Sequence, residues 1–279
     1  MSTNATFLPT ADAIAKQIPD GCTLAVTRDI SGVSMAVVRA LVRRAARDLH
    51  VVCVPIGGLN VDILVGAGCV ATVETSAVSL GEYGGAPRFN AAVKAGRIKL
   101  LDATCPAIHA AFQAAEKGLP FMPLRGILGS DLLAQRPDWQ VIDNPFAAAR
   151  DPIVLLPAIR PDVALFHTPK ADTNGNVFIG INRELMMMAH AAKRTFVTVE
   201  EIVDDDLLAD EGTAAGTIPS LYVSGIAEVR RGAWPHGLWD LYPADEAHLA
   251  DYAARARTDQ GFADYVREFV LSDARAAAE

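Results

Sequence analysis

The sequence predicts an α/β fold in three layers, α/β/α, around a mostly parallel central sheet. Short runs rich in β-branched residues alternate with amphipathic segments, which is the order typical of strand–helix–strand units. The chain has 279 residues, of which 51% are hydrophobic, so it can bury a large core. No long linker interrupts it, and we therefore expect one domain spanning residues 1–279.

The alternation of strands and helices is clearest in the first half of the chain. Thr10 or Asp12 is placed to cap a short helix, and Gly21 ends it. Residues 35–47 put apolar side chains on one helical face and arginines on another, as expected of a helix that covers a sheet. The further predicted strands are 23–27, 50–55, 73–80 and 98–102, and the further helices begin at 61, 87 and 105.

The second half continues the pattern after an irregular excursion or lid over residues 136–151, which is rich in proline. Residues 172–176, DTNGN, predict a turn because Asn and Gly tolerate positive φ. The predicted strands are 163–167, 177–181, 195–199 and 221–229, with a helix over 183–192. Two amphipathic helices over about 245–270, separated near 258–261, are expected to end the chain.

Composition excludes several classes of function. A formal net charge of −8 and a pI near 5.3, without any basic run, argue against binding of nucleic acid or an anionic membrane. The four cysteines show no metal-ligand spacing, so we expect no metal site and a reducing compartment. The N-terminus lacks a signal-peptide pattern and no apolar run is long enough to span a bilayer, which predicts a cytoplasmic protein.

Ligands of open α/β sheets bind where the loops after the strands converge, at the carboxyl ends. Four loops are expected to meet there: 27–32 (TRDISG), 55–60 (PIGGLN), 79–85 (SLGEYGG) and 125–130. Their glycines allow the backbone to approach a ligand, and their polar side chains offer hydrogen bonds. The predicted substrate-binding residues are Arg28, Ser31, Gly32, Gly57, Gly58, Asn60, Arg125, Gly126, Gly129 and Ser130.

Each of these assignments has a purely structural alternative. Arg28 could form a surface ion pair with Asp29 at a helix start, and Gly57 and Gly58 could simply make a tight turn. Arg125, on a loop bounded by Pro and Gly, suits a bidentate carboxylate contact, and its alternative partner is Asp131.

Other titratable residues give weaker signals. His109 lies among apolar neighbours on a helix and is expected to be a packed histidine, whereas His167 either faces the site edge or bonds a turn. Ser76 and Ser79 lack the GxSxG context and the placed His partner of a serine hydrolase. Glu82, between Gly81 and Gly84, is the weak candidate within this chain for a catalytic carboxylate, against the alternative of a solvated loop acid.

Three strings carry a resemblance to a known family: 55–68 (PIGGLNVDILVGAG), 121–132 (FMPLRGILGSDL) and 160–177 (RPDVALFHTPKADTNGNV). Together, and in this order, they resemble the A (alpha) subunit of the family I coenzyme A transferases, most closely the glutaconate CoA-transferase type. The resemblance covers nearly the whole chain and implies the NagB/RpiA/CoA transferase-like fold. Within this fold the TVEEIV run at 198–203 is a signature rather than the nucleophile.

The resemblance also implies a mechanism and a partner. Family members use a glutamate to attack the acyl-CoA thioester in a ping-pong reaction, and in two-chain members that glutamate lies on the B (beta) subunit. We therefore expect a B-subunit partner in a heterotetramer, acyl-CoA and carboxylate substrates, and no tightly bound cofactor. The A-type chain would supply pocket walls and oxyanion contacts.

The chain departs from the family pattern at the loop after its first long strand. Relatives have a glycine-rich loop in the acyl-CoA pocket, but here residues 27–31 are Thr, Arg, Asp, Ile and Ser, followed by Gly32. Similar A chains belong to CoA-dependent ring-opening hydrolases of steroid degradation, in which an acid near the start of the helix before the FMP string is implicated. Here that region is Asp102 to Pro106, in which the acid is missing or replaced by Cys105, and this weakens the hydrolase alternative. A subunit of such a hydrolase is one alternative function, and a catalytically silent scaffold, favoured by the altered loop at 28–31, is the other.

Overall fold

In the computed structural model, residues 5–28, 32–239 and 241–272 are described. The strands are β1 (Thr6–Phe7), β2 (Thr23–Thr27), β3 (Leu49–Val54), β4 (Val70–Thr75), β5 (Lys99–Asp102), β6 (Phe121–Leu124), β7 (Gln140–Asp143), β8 (Pro152–Pro157), β9 (Val163–Asp172), β10 (Val177–Phe178), β11 (Arg194–Val203), β12 (Thr217–Ile218) and β13 (Gly225–Glu228). The α-helices are α1 (Ala11–Ala15), α2 (Met35–Arg43), α3 (Leu59–Gly66), α4 (Pro87–Lys94), α5 (Cys105–Glu116), α6 (Leu132–Gln135), α7 (Arg183–Ala191), α8 (Glu211–Ala214), α9 (Glu246–Arg255) and α10 (Asp259–Val266).

The main sheet runs in the order β1-β13-β11-β9-β2-β3-β4-β5, and neighbours along this path are parallel. Short β10 pairs antiparallel with β9 and with β12. Parallel strands carry helices on both faces, which explains why their sequences are nearly continuous apolar runs. The predicted mostly parallel sheet is therefore confirmed.

Two apolar cores separate the sheet from its helical layers. Successive strand residues face opposite sides, so Val51 and Cys53 enter one core while Val52 and Val54 enter the other. The first core holds side chains of α1 to α4 and of the C-terminal helices α9 and α10. The second holds side chains of α5, α7 and strand β8. These layers are the predicted three-layer α/β/α architecture.

The C-terminal helices, predicted over about 245–270, are tied to the first layer by buried polar contacts. The Tyr252 hydroxyl donates to Asp62 Oδ2 at 2.7 Å, which links α9 to α3. Arg88 of α4 pairs with Asp259 at the start of α10. Thr258 caps α10 by accepting a hydrogen bond from the Gly261 amide. The tail is thereby fixed against the layer that covers β2 to β5.

Several predicted elements need correction. The segment 136–151 is not irregular throughout, since β7 joins β6 and β8 in an antiparallel three-stranded sheet of order β6-β8-β7. The FMP string is strand β6 of that sheet. The cis prolyl bonds of the described chain are Val54–Pro55 and Trp234–Pro235. The predicted strands 73–80, 177–181 and 221–229 are shorter, because loops or turns occupy residues 76–80, 179–181 and 220–222.

Candidate active site

The order of the strands reverses between β2 and β9. From β2 the chain builds outward through β3, β4 and β5, and it then returns to add β9, β11 and β13 on the other side. In open α/β sheets such a switch point opens a crevice at the carboxyl ends of the strands. The segments that follow β2, β3, β4 and β5 and the carboxyl halves of β9 and β11 therefore define the candidate active site.

Gly32 brings the loop after β2 against β9. Its carbonyl accepts a hydrogen bond from the His167 amide at 2.7 Å, and its φ is +79°. A Cβ at this position would lie 2.0 Å from the His167 carbonyl oxygen, so only glycine fits. Predicted Gly32 thus lies at the switch point, whereas predicted Ser31 and its neighbour Asp29 lie outside the described residues.

Arg28 lines a cleft of about 510 Å³ together with His109 and Glu184. Its guanidinium lies 3.5 Å from the Glu184 carboxylate. The Asp29 pair considered from the sequence lies outside the described residues. His109 is half-buried and faces this cleft rather than being a fully packed core histidine. Burial lowers the pKa of His109, Glu184 opposes this and the Arg28 charge adds to it, so the ring is biased toward its neutral form.

The loop after β3 uses its backbone groups within the chain. The Gly57 amide donates to the Ala77 carbonyl at 2.9 Å, and the Gly58 amide donates to Asn60 Oδ1 at 3.0 Å. Buried Asn60 in turn donates to the Thr27 carbonyl at 3.1 Å and so ties the start of α3 to the end of β2. The contacts fit the structural alternative for these two glycines, and ligand contacts from Gly57, Gly58 and Asn60 stay predictions.

Three strand ends meet at Pro55, Ser76 and Cys105, a contact that the sequence analysis missed. Ser76 Oγ donates to the Pro55 carbonyl at 2.9 Å and lies 3.1 Å from Cys105 Sγ. Cys105 is exposed and begins α5, whose Thr104 cap accepts from the Ala107 amide. Their positions in the sequence could have predicted this contact, because the three residues lie just beyond β3, β4 and β5, which are adjacent in the sheet.

A buried hydrogen-bond network joins β9 and β11 beside Gly32. His167 Nε2 lies 2.6 Å from Glu200 Oε1, and its Nδ1 lies 2.9 Å from Thr198 Oγ1, which is 2.7 Å from Ser34 Oγ. Since the carboxylate accepts, Nε2 carries the proton and Nδ1 accepts from the Thr198 hydroxyl. Burial lowers the pKa of His167, which favours the neutral ring.

Glu200 is the centre of this network. Its carboxylate also accepts from the Arg231 amide at 2.6 Å, the Gly232 amide at 3.2 Å and the Tyr242 hydroxyl at 2.7 Å. Burial alone would raise its pKa, but the hydrogen bonds from His167 and Tyr242 hold the pKa of Glu200 below its ordinary value. An ionised Glu200 therefore anchors Arg231, Gly232 and Tyr242, in the segment 229–242 that follows β13, to the switch point.

Glu82 lies in a turn of 3₁₀ helix at Gly81–Tyr83, beyond the end of β4. It is exposed and borders a cavity of about 410 Å³ with mostly apolar walls. This cavity is formed by residues that follow β3, β4 and β13 and by residues of the helix α9. The weak catalytic candidate from the sequence is thus a cavity residue, and no described contact activates it as a nucleophile.

The residues predicted on the 125–130 loop follow β6 of the small antiparallel sheet, not a strand of the main sheet. Arg125 is 61% exposed and pairs with Asp151, so the alternative partner proposed from the sequence, Asp131, is wrong. Ser130 Oγ donates to the Ile127 carbonyl at 2.7 Å, while Gly126 and Gly129 border open space. A ligand role for Arg125, Gly126, Gly129 and Ser130 stays a prediction.

Within the described ranges, no group of three His, Cys, Asp or Glu residues is arranged to hold a metal ion. None of the helices described has the length and apolar character that a membrane crossing requires.

Comparison with known proteins relates this chain to an enzyme family. Residues 8–228 match the family described as coenzyme A transferase. The chain is 30% identical to the A subunit of 3-oxoadipate CoA-transferase from Pseudomonas knackmussii, with 95% of this chain and 94% of that protein covered. It is also 30% identical to the A subunit of glutaconate CoA-transferase from Acidaminococcus fermentans, with 93% and 86% covered.

Two further relatives are not named as CoA-transferases. An uncharacterized protein of Archaeoglobus fulgidus is 35% identical over 85% of this chain, which spans just 53% of that protein's length. The cholesterol ring-cleaving hydrolase IpdA subunit of Rhodococcus jostii is 30% identical, with 85% of this chain and 82% of that protein covered.

The fold agrees with these sequence matches. The crystal structure of glutaconate coenzyme A-transferase from Acidaminococcus fermentans superposes with a TM-score of 0.87 at 27% identity, covering 96% of this chain and 89% of that one. The chain therefore belongs to the coenzyme A transferase family, in which it is an A-type subunit.

Proposed function

We propose that the chain is the A-type half of a two-chain CoA-transferase that moves CoA between an acyl-CoA and a carboxylic acid. The relatives named as A subunits of CoA-transferases, matched over nearly their whole length, support this assignment. CoA thioesters would be substrates rather than resident cofactors. The partner would be a B-type subunit, and two such pairs would form a heterotetramer in the cytoplasm.

The observation that carries this proposal is the state of the carboxylates around the crevice. Glu200 accepts four hydrogen bonds, and buried Glu74 is paired with Arg136 at 2.8 Å. Glu82 is exposed at a cavity rim, where water solvates it. A nucleophilic carboxylate needs an accessible oxygen held close to the thioester carbon. None of these three meets both conditions, and Glu184 in the cleft is paired with Arg28 at 3.5 Å. The carboxylates of the crevice therefore support a nucleophile supplied by the partner.

The proposed chemistry proceeds in two exchanges. The partner's glutamate attacks the thioester carbonyl and expels CoA as the thiolate, which leaves an acyl-glutamyl anhydride. The thiolate then attacks the glutamyl carbonyl, releases the first carboxylate and leaves a glutamyl-CoA thioester. A second carboxylate reverses these steps and departs as the new acyl-CoA. Each step creates an oxyanion that hydrogen-bond donors can stabilise.

This chain would supply the walls and the positioning of that reaction. The loop after β2 is fixed by Gly32 and His167, and the segment 229–242 is fixed by Glu200. Arg28 and His109 line the cleft on the other side of β2. Such a rigid setting holds a substrate in place without a nucleophile of its own.

The location of the covalent adduct tests the proposal. The chain is co-expressed with its B-type partner, incubated with a substrate acyl-CoA and trapped with borohydride, which reduces the glutamyl thioester to an alcohol. Peptide mapping by mass spectrometry is expected to place the modified glutamate on the partner. A Glu82→Gln variant serves as the control and is expected to leave the adduct in place. An adduct on Glu82 or on Cys105 would overturn the division of labour.

A role in a hydrolase is the second candidate function, favoured by the similarity to the ring-cleaving hydrolase. Cys105 and Ser76 stand at the crevice where the resemblance implied an acid in those relatives. Release of free CoA without any carboxylate acceptor would support this alternative, whereas strict dependence on an acceptor supports the transferase. A silent scaffold would show neither activity in the reconstituted complex.

A further inference from the structure

The 410 Å³ cavity beside the switch point has the composition of a site for a hydrocarbon chain. It is walled mainly by Leu59, Leu80, Tyr83, Trp239, Leu249 and Tyr252. Its volume falls within the range of about 300–1,000 Å³ found for small-molecule sites, which are mostly apolar with few polar groups. Water held against such walls is readily displaced by an apolar ligand group.

The cavity lies among the loops that form the crevice. Leu59 follows the loop after β3, and Leu80 follows the loop after β4. These loops are joined because the Ser79 amide donates to the Gly57 carbonyl at 3.1 Å. Trp239 lies on the segment held by Glu200, and a Cβ at Gly32 would approach Leu238 to 3.5 Å. The apolar walls are thus built by the same loops and segment that border the switch point.

The cavity has few polar atoms, and the charged group at its rim is a carboxylate. The Tyr252 hydroxyl is committed to Asp62, so its ring faces the cavity as an apolar surface. His236 is buried in the wall, and none of the lining residues that the structure describes is Arg or Lys. Exposed Glu82 places a carboxylate at the rim. Burial is the main cause that raises the pKa of neighbouring Tyr83, and the charges of Glu82 and Glu246 raise it further.

We propose that this cavity holds the uncharged hydrocarbon part of the acyl group and that Glu82 selects against acyl groups ending in a second carboxylate. The inference rests on the proposed function. A distal carboxylate would meet Glu82 with the same charge and would lose its water without gaining a cationic partner. This specificity differs from the dicarboxylic substrates in the names of the 3-oxoadipate and glutaconate relatives.

The substrate range of the complex with its B-type partner tests this directly. Pentanoyl-CoA and glutaryl-CoA have acyl groups of equal length that differ in the distal carboxylate. Wild type is expected to prefer pentanoyl-CoA by at least tenfold in kcat/KM. Glu82→Gln should reduce that preference about tenfold, because it removes the like charge while keeping the shape. Glu211→Gln, an exposed acid on α8 outside the cavity, is the matched charge control and should leave the preference unchanged.

A second variant tests the cavity itself. Ala244 is exposed and lines the cavity, so Ala244→Trp fills the space without replacing a core side chain. The ratio of kcat/KM for hexanoyl-CoA over acetyl-CoA is expected to fall at least tenfold, since the longer chain needs the occupied volume. An unchanged ratio, or a wild-type preference for glutaryl-CoA, would overturn the proposal.

Direct binding separates this proposal from the proposed function. Hexanoyl-CoA and glutaryl-CoA are titrated into the full chain, and isothermal titration calorimetry measures binding, since Ala244→Trp would itself add a fluorescent side chain to the cavity. If the complex transfers no CoA, tighter binding of hexanoyl-CoA that is lost in Ala244→Trp would still support the cavity assignment. Equal affinity of the two thioesters, or binding unaffected by Ala244→Trp, would refute it.

Discussion

Glu200 illustrates how a single side chain can fix two walls of a site. Its carboxylate binds His167 on β9 and the backbone amides of the segment after β13. The sequence marked Glu200 as part of a fold signature, but its partners lie about 30 residues away on either side. Sequence periodicity reports burial and not pairing, so the network was visible only after strand order was known.

Glu200→Gln is expected to lower the free energy of unfolding by about 2–3 kcal/mol, because an amide NH₂ would face a buried N–H donor. The same variant should loosen the segment 229–242 and reduce turnover of the complex. Urea denaturation gives the stability change. Glu201→Gln is the control, since Glu201 is the exposed neighbour on the same strand. Equal stability of the two variants would show that the network is not needed to hold the fold.

For Arg125, a ligand-binding role and a structural ion pair are both compatible with the sequence and the structure. It is exposed and paired with Asp151, whose pKa is lowered by hydrogen bonds from Asn144 and Arg125. The ion pair explains the conformation of the loop but leaves the guanidinium accessible. A surface pair contributes little to stability, which makes Arg125 available to an anionic ligand.

If Arg125 contacts a substrate anion, Arg125→Ala should lower kcat/KM of the complex by about 10- to 100-fold. Asp151→Asn removes the partner while keeping the arginine, and it should change kcat/KM less than threefold. Steady-state kinetics of the two variants distinguishes the roles. Equal losses would mean that the ion pair matters through the loop conformation alone.

At the scale of elements, the main sheet was predictable because its inner strands contain short buried apolar runs, although β9 and β11 extend to 10 residues each, beyond the predicted 163–167 and 195–199. The small sheet was not, because β7 is exposed along its length and lies in a proline-rich segment. Strand β7 is defined by its pairing with β8, and sequence patterns do not predict which strands pair. Three of the four predicted loops, 27–32, 55–60 and 79–85, therefore follow strands of the main sheet, whereas 125–130 follows β6 of the small sheet.

The contact between α3 and α9 is expected to make stability depend on pH. Asp62 is buried, accepts from Tyr252 and the Phe89 amide, and burial raises its pKa to about 6. Since the folded pKa exceeds the unfolded value near 3.8, protonated Asp62 stabilises the fold fully below about pH 4. That contribution, about 3 kcal/mol for a shift of about two units, is lost as the pH rises through 6.

Asp62→Asn should remove this dependence, because the amide does not titrate. Free energies of unfolding in urea at pH 4.5 and 7.5 are compared for wild type, Asp62→Asn and Asp205→Asn, an exposed aspartate that serves as control. The difference between the two pH values is expected to change in Asp62→Asn and to stay at the wild-type value in the control. Identical pH dependence in both variants would contradict a buried, proton-binding Asp62.

At the scale of the whole molecule, a nucleophile on the partner requires the partner to cover the carboxyl edge of the sheet. Ile181 is 92% exposed and lines the cleft beside Arg28. Leu221 is 66% exposed but precedes β13, at the amino edge of the same sheet. Two aliphatic side chains of similar size are thus exposed at opposite edges of the sheet. A partner that covers the crevice would bury Ile181 but not Leu221.

Co-expression with the B-type partner is expected to give a complex of equal numbers of both chains, with the mass of a heterotetramer by light scattering. Ile181→Asp should weaken association at least tenfold, because it would bury a charge in the interface. Leu221→Asp should leave association intact and so controls for the added charge. Recovery of wild type as a separate, stable monomer after co-expression would contradict the shared site. A loss of association in Leu221→Asp alone would instead place the partner at the amino edge, away from the crevice.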